Sequence, residues 1–135
     1  MINIEYYVRS EFMSNIVYNE QQEAFELPYK LWDKMMTVRF YTENEQNIID
    51  NLSSIAMQLE SVNGGKTKIS GIIVDEGLYN GAEEILSKYI CLESIYVDID
   101  DDEIVVCFTV SSSDGYMEAV DIELYNDEFE IISRN

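Results

Sequence analysis

The sequence of 135 residues has no histidine, one proline, two cysteines and eight basic residues. Without histidine, Ser-His and Cys-His nucleophile systems are excluded, and two cysteines alone do not make a zinc site. The GxSxG, P-loop and GxGxxG patterns are also absent. Carboxylate pairs are so frequent in this chain that they do not by themselves indicate acid–base catalysis. We therefore expect no catalytic residues, no metal and no cofactor, and a protein that is not an enzyme.

The two cysteines, Cys91 and Cys107, lie inside apolar runs, which predicts two reduced, buried thiols. No stretch of the sequence approaches the roughly 18 apolar residues of a membrane span. The first residues, MINIEYYVRSEF, do not show the cationic segment and apolar run of a secretory signal. These features predict a cytoplasmic protein that has no membrane partner.

Basic residues are few beside the acidic ones, since the chain has 27 Asp and Glu and a formal net charge of −19. Disordered acidic segments are poor in aromatic and apolar residues. Here, hydrophobic residues make up 47% and aromatic residues 12% of the chain. That composition is enough for one hydrophobic core, so we expect a single folded domain over residues 1–135 that carries its charge on the surface.

The acidic residues are concentrated in the second half of the chain. Residues 1–70 carry ten acidic and six basic side chains, whereas residues 71–135 carry seventeen acidic and two basic ones. A field of this sign attracts a cationic protein and repels nucleic acid and anionic membranes. Direct nucleic-acid binding needs clustered Lys and Arg and is not expected. A basic protein is the expected partner.

In the first third of the chain, the pattern predicts strands at 2–9 and 38–41, and leaves 10–26 ambiguous between helix and loop. A short helix is predicted over 28–36, because Pro28 suits the first position of a helix.

Two further helices and a strand are predicted before residue 93. The longest helix runs from about Glu43 to Val62, with Thr42 and Glu45 at capping-box spacing. One apolar stripe marks it: Ile48, Leu52, Ile55, Leu59 and Val62. Gly64 and Gly65 then end it. Lys66–Asp75 has the composition of a strand, and Asn80 with Glu83 marks the start of a shorter helix whose stripe is Ala82, Ile85, Leu86, Tyr89 and Ile90.

From Glu93 onward the hydrophobic period becomes two, which indicates four short strands joined by turns. Keeping apolar residues opposite one another gives these pairs: Ile99 with Ile104, Val97 with Val106, Phe108 with Ile122, Leu124 with Phe129, and Ile122 with Ile131. The middle hairpin then needs a three-residue turn or a bulge at Asp114-Gly115. The last hairpin sets Glu123 opposite Glu130, which is a destabilising like-charge pair.

The whole pattern predicts an α+β fold, in which an antiparallel β-meander in the C-terminal part packs against one long helix and one or two shorter helices. The acidic residues of the meander alternate outward from its apolar side and are the candidate partner-binding residues: Asp98, Asp100, Asp121, Glu123, Glu128 and Glu130. Three tyrosines near these strands are candidate anchors, because tyrosine buries a large area at small entropic cost: Tyr96, Tyr116 and Tyr125. An alternative, in which the acidic residues only keep the protein soluble, stays open.

The run from Asp98 to Glu103 has the spacing of acidic residues that opens an EF-hand calcium loop. However, Glu103 stands where that loop needs glycine, and Thr109 stands where it needs a bidentate acid. A charged hairpin turn is therefore the favoured interpretation.

A small, strongly acidic α+β domain without catalytic motifs resembles the bacterial immunity proteins of toxin–immunity pairs, including those of contact-dependent growth inhibition systems. The resemblance rests on size, acidity and the α+β pattern. It includes no diagnostic motif, so no residue role is carried over. The resemblance implies a cytoplasmic antitoxin that binds and neutralises a basic toxin domain such as a nuclease, often by covering its active-site cleft.

An alternative function is nucleic-acid mimicry, as in anti-restriction or anti-CRISPR proteins, where carboxylates stand in for phosphates on the surface of a DNA- or RNA-binding enzyme. Mimicry predicts carboxylates spaced along an extended track. The acidic residues here are clustered between residues 93 and 130, which favours the immunity interpretation.

Overall fold

A computed structural model describes residues 15–100 and 103–134 of the chain, in which seven strands form one sheet. The strands are β1 Val17–Asn19, β2 Ala24–Leu31, β3 Lys34–Tyr41, β4 Ile90–Asp100, β5 Glu103–Ser112, β6 Val120–Tyr125 and β7 Glu128–Arg134. The helices are α1 Glu45–Asp50, α2 Leu52–Asn63, α3 Lys66–Asp75 and α4 Glu83–Tyr89. The predicted α+β class and the C-terminal meander are confirmed.

The strands are ordered in the sheet as in the sequence, and every neighbouring pair is antiparallel except β3 and β4, which are parallel. A parallel pair cannot be joined by a tight turn and needs a long crossover connection. Helices α1 to α4 all lie in that connection, between Tyr41 and Ile90. The topology therefore joins an N-terminal group of three strands to the C-terminal meander through a helical layer.

One hydrophobic core lies between the helices and one face of the sheet. Its largest fully buried side chains come from both layers: Phe40, Phe108, Leu27, Leu31, Ile48, Ile55, Leu59, Ile69, Ile73, Leu86 and Ile122. At roughly 1.5–3 kcal/mol for each buried apolar side chain, this core is the main stabilising term.

The short helix predicted over 28–36 is wrong, because these residues form the β2–β3 hairpin. Proline is accepted in a strand where one side has no neighbour, and within the described residues β1 pairs with β2 only up to Glu26, two residues before Pro28. The turn is made by Trp32 and Asp33, both at positive φ (51° and 61°). Asn-Gly, Asp-Gly or Gly-Gly usually marks such a turn, and Trp32-Asp33 has no glycine, so the sequence did not indicate a two-residue turn here.

Contacts with α2 hold Trp32 in this unfavourable backbone conformation. Its backbone N–H donates to Asn63 Oδ1 at 2.9 Å, and its indole Nε1 donates to the carbonyl oxygen of Val62 at 2.8 Å. The Nζ of Lys66 also lies 5.6 Å from the centre of the indole ring. The hairpin is thereby fixed to the C-terminal end of α2.

The long helix predicted from Glu43 to Val62 is present as two helices that meet at Asn51, whose φ of −117° breaks the helical path. The predicted apolar stripe is nevertheless buried in full. The predicted capping box is wrong: Asn44 is the N-cap and accepts from the N–H of Asn47, while Thr42 Oγ1 accepts from the side chain of Asn47.

The strand predicted over Lys66–Asp75 is wrong, since this segment is helix α3. Its β-branched residues suit a strand by propensity. However, Ile69 and Ile73 are four residues apart and both fully buried, so burial of a helical stripe outweighs propensity. The strand predicted at 2–9 lies outside the described residues.

The second predicted helix exists as α4, but it begins after Ala82 and has no side-chain cap from Asn80. Leu86 of its predicted stripe is fully buried, whereas Ile85 and Tyr89 are 43% and 42% exposed. These two exposed apolar side chains line a cavity that opens to solvent.

The predicted strand registers of the meander are all confirmed, including Phe108 with Ile122 and Glu123 with Glu130. The predicted short turn of the middle hairpin is wrong, because a loop of residues 113–119 joins β5 to β6. The side chain of Met117 in this loop is buried, which explains why the loop is longer than a minimal turn.

We predict that Asn63→Ala lowers the free energy of unfolding by about 1–2 kcal/mol, because it leaves the half-buried N–H of Trp32 without its acceptor. Urea unfolding of the two proteins measures the difference. Ser61→Ala, an exposed change in the same helical turn, is the control and should stay within about 0.5 kcal/mol of the original protein. Equal effects of the two changes would show that the hydrogen bond between Trp32 and Asn63 does not stabilise the packing of the hairpin against α2.

Candidate protein-binding face

The second face of the sheet points away from the hydrophobic core. Side chains alternate between the two faces along each strand, so the residues between the buried ones of β4 to β7 share this second face. They include Tyr96, Asp98, Asp100, Glu103, Val105, Cys107, Thr109, Asp121, Glu123, Tyr125, Glu128 and Glu130. We call this set the acidic face. It brings together eight of the nine candidate residues that the sequence predicts.

One row of paired residues crosses the middle of the acidic face. Tyr96 is paired with Cys107, Cys107 with Glu123, and Glu123 with Glu130. A second like-charge pair, Asp100 with Glu103, lies at the end of the β4–β5 hairpin. Directly opposed carboxylates repel one another across a strand pair, so the folded state holds these charges together at an energetic cost.

Hydroxyl groups fix two carboxylates at this face. Thr109 Oγ1 donates to Asp121 Oδ1 at 2.6 Å, and the Tyr125 hydroxyl donates to Glu103 Oε1 at 2.6 Å. Such hydrogen bonds orient a carboxylate but do not cancel its charge. The acidic face therefore carries positioned negative charge.

Cys107 lies at the centre of the acidic face and is buried. Burial is the largest cause and raises the pKa of its thiol, the hydrogen bond with Tyr96 lowers it by less than burial raises it, and the charges of Glu123, Asp98 and Asp121 add to the rise. Because a thiolate is the reactive form of cysteine, this environment disfavours thiol chemistry. The predicted burial of Cys107 is confirmed, and its alternation with Val106 and Phe108 places it on the outward face of β5.

Tyr96 is the aromatic residue nearest the centre of the acidic face. Its hydrogen bond with Cys107, and then burial, raises the pKa of Tyr96 to about 12. Its ring meets that of Tyr41 edge to face, with centroids 5.5 Å apart. Tyr96 is still 37% exposed and Tyr125 42% exposed, so both present apolar area beside the carboxylates.

In the neighbouring strands β2 and β3, one carboxylate is paired with a basic side chain. Arg39 Nε lies 2.8 Å from Glu26 Oε2, and this ion pair, together with Asn19, lowers the pKa of Glu26. Among the side chains of residues 15–100 and 103–132, Arg39 is the one Lys or Arg that comes within 4 Å of a carboxylate. Apart from Asp121, the carboxylates of the acidic face therefore have no basic side chain of that part of the chain within 4 Å to balance them.

Tyr116 is the candidate residue that the structure does not place on the acidic face. It lies in the loop 113–119 and is 75% exposed. The run that resembles an EF-hand loop forms the end of a hairpin, since Asp98 and Asp100 lie in β4 and Glu103 begins β5. Residues 101 and 102 lie outside the described part, and the residues that the structure does describe show no group of three acidic or cysteine side chains placed to hold a metal ion.

Comparison of the chain with protein-family models, curated proteins and solved structures found no significant match. Among the described helices, none is both long enough and apolar enough to span a membrane.

We predict that Glu130→Lys raises the free energy of unfolding by up to about 1 kcal/mol, because it replaces a like-charge pair with an opposite-charge pair across β6 and β7. Urea unfolding at low salt measures the change, and added salt should reduce it by screening. Glu20→Lys in the β1–β2 turn alters the net charge equally and is the control. If both variants gain the same stability, net charge alone is responsible and the Glu123–Glu130 repulsion is not.

We also predict that Cys107→Ala brings the pKa of Tyr96 down from about 12 towards the ordinary value of 10. A tyrosine whose folded pKa is raised contributes stability that is fully present below pH 10 and is lost as the pH rises towards 12. NMR titration of ring-labelled tyrosine measures the pKa, and the fall in unfolding free energy between these pH values should be shallower in the variant. Cys91→Ala is the control, and an unchanged Tyr96 titration in Cys107→Ala would contradict the assignment.

Proposed function

We propose that the protein is an acidic immunity or inhibitor protein, which binds a basic toxin domain through the acidic face and neutralises it in the cytoplasm. The observation that carries this proposal is a group of carboxylates on one sheet face that no basic side chain of residues 15–100 and 103–132 approaches within 4 Å: Asp98, Asp100, Glu123, Glu128 and Glu130. A basic partner would supply the missing counter-charges. Its binding would relieve the repulsion that the free protein tolerates at Glu123 and Glu130.

The composition of the acidic face supports a protein partner. Protein interfaces use tyrosine as an anchor together with charge-assisted hydrogen bonds at the edge. Tyr96 and Tyr125 are partly exposed beside Asp98, Glu123 and Glu128, so apolar area and charge are available in one patch. A patch of this kind suits Arg and Lys, whose long stems cover apolar surface while their charged ends meet carboxylates.

The arrangement of the carboxylates supports an inhibitor of a basic domain more than a nucleic-acid mimic. The carboxylates are two residues apart along a strand, and neighbouring strands of a sheet are about 4.8 Å apart. They therefore form a two-dimensional patch over β4, β6 and β7. A mimic of one phosphate chain would need a single extended track.

The experiment is affinity capture of basic proteins from the source cells at low salt, followed by calorimetry with the purified partner. Neutralising Asp121, Glu123, Glu128 and Glu130 with Asn or Gln should weaken binding by roughly 100-fold or more, because hydrogen bonds to charged groups contribute about 1.5–3 kcal/mol each. Protection against the activity of the partner should fall in parallel. The association rate should also fall as salt rises.

The matched control neutralises four exposed acidic residues away from the acidic face: Glu20, Glu43, Asp75 and Glu84. It removes the same net charge and should reduce affinity far less. Equal losses of affinity in both variants would show that only net charge matters. No loss of affinity in either variant would rule out the acidic face as the interface. If no basic protein is captured, the proposal fails as a whole.

A further inference from the structure

A second feature lies at the end of the sheet where β4 begins and β5 ends. A cavity of about 460 Å³ opens there to solvent, between the start of α4 and the loop 113–119. Three tyrosines and one carboxylate are among the residues that line it: Tyr79, Tyr89, Tyr116 and Asp114. We call this the tyrosine cavity. The acidic face does not include any of these residues.

Hydrogen bonds fix the carboxylate of the tyrosine cavity in place. Asp114 Oδ2 accepts from the hydroxyl of Tyr79 at 2.8 Å, and Oδ1 accepts from the backbone N–H of Tyr116 at 3.1 Å and from the hydroxyl of Ser112. The loop turns at Gly115, whose φ of +79° is a conformation that glycine adopts without strain. The carboxylate and two of the tyrosines are thus tied to one another before any ligand arrives.

The wall formed by helix α4 is tied to the same loop. The N–H of Ser113 donates to the carbonyl oxygen of Tyr89 at 2.8 Å. Gly81 lies against the buried ring of Tyr79, where an added Cβ would come within 2.7 Å of a ring carbon. The aromatic rings therefore line a preformed cavity, and a preformed site loses little conformational entropy on binding.

The charges around the tyrosine cavity favour a cation. Asp114 has no Lys or Arg within 4 Å among the described residues, and none of the residues known to line the cavity is basic. The hydrogen bond to Asp114, followed by burial and the Asp114 charge, raises the pKa of Tyr79 to about 12, so its hydroxyl stays a neutral donor. Aromatic rings attract cations through their negative faces, and a guanidinium stacks on them while it donates to a carboxylate.

The exposed side chains around the mouth of the tyrosine cavity indicate that its ligand belongs to a polypeptide. Tyr116 is 75% exposed, Ile85 43% and Tyr89 42%, so apolar area surrounds the mouth of the cavity. An arginine side chain offers both an apolar stem for the rim and a planar cation for the interior. We propose that the tyrosine cavity binds an arginine side chain of a protein partner, with Asp114 as its counter-charge.

Acetyl-arginine-amide is the probe, because it presents the arginine side chain as a polypeptide does and needs no identified partner. NMR titration of the full chain should shift the ring resonances of Tyr79, Tyr89 and Tyr116 together, without shifting Tyr96 or Tyr125. Acetyl-citrulline-amide has nearly the same shape without the charge and should bind more weakly. Equal binding of the two probes, or shifts confined to the acidic face, would overturn the proposal.

Two variants test the lining residues. Tyr116→Ala removes an exposed ring and should weaken binding about two- to fivefold, as expected for loss of one exposed cation–π contact. Asp114→Asn should weaken it at least as much and should also lower the pKa of Tyr79 from about 12 towards 10. The control Tyr18→Ala removes a half-exposed ring from β1, far along the sheet order, and should leave binding unchanged.

Choline separates a polypeptide arginine from a free organic cation, because it has a quaternary ammonium but no hydrogen-bond donor that matches a carboxylate. Weaker binding of choline than of acetyl-arginine-amide supports the proposal, and tighter binding overturns it. This experiment uses small probes only. Its result is therefore independent of whether the acidic face binds a basic toxin domain.

Discussion

The parallel pairing of β3 with β4 is the constraint on which the rest of this structure depends. It forces a long connection between Tyr41 and Ile90, and that connection carries the four helices that cover one face of the sheet. A hydrophobic core forms beneath those helices and stabilises the fold. The opposite face of β4 to β7 has no helix of the described residues over it, and there the chain holds its positioned carboxylates.

Burial and repulsion oppose one another across this single sheet. The inward side chains of β5 and β6, such as Val106 and Ile122, are almost completely buried, while the outward ones place Glu123 opposite Glu130. A cross-strand repulsion of roughly 1 kcal/mol or less is tolerable against a core of this size. The sheet can therefore keep carboxylates close together on one surface, which an isolated hairpin without this core could not do. Such a negative surface attracts a surface that is rich in cations.

The C-terminal half could be predicted closely from the sequence, because a period of two with apolar residues on one side fixes strand register. Ile99 with Ile104 and Leu124 with Phe129 followed from that rule. The first half could not, because local signals disagreed with tertiary contacts: Pro28 lies in a strand, Trp32 occupies a turn without glycine, and Lys66–Asp75 is helical despite its β-branched residues. Tyr116 was placed with the acidic strands by proximity in sequence, whereas the length of the loop 113–119 carries it to another surface.

The central claim, that the acidic face is the surface that a basic partner covers, can be tested most directly by measuring how fast each carboxylate reacts with a carbodiimide in the free protein and in the complex. If a basic partner covers the acidic face, labelling in the complex is slower at Asp98, Glu123, Glu128 and Glu130, and it is unchanged at Glu20, Glu43, Asp75 and Glu84. Unchanged labelling at the first group, with protection elsewhere, would contradict it.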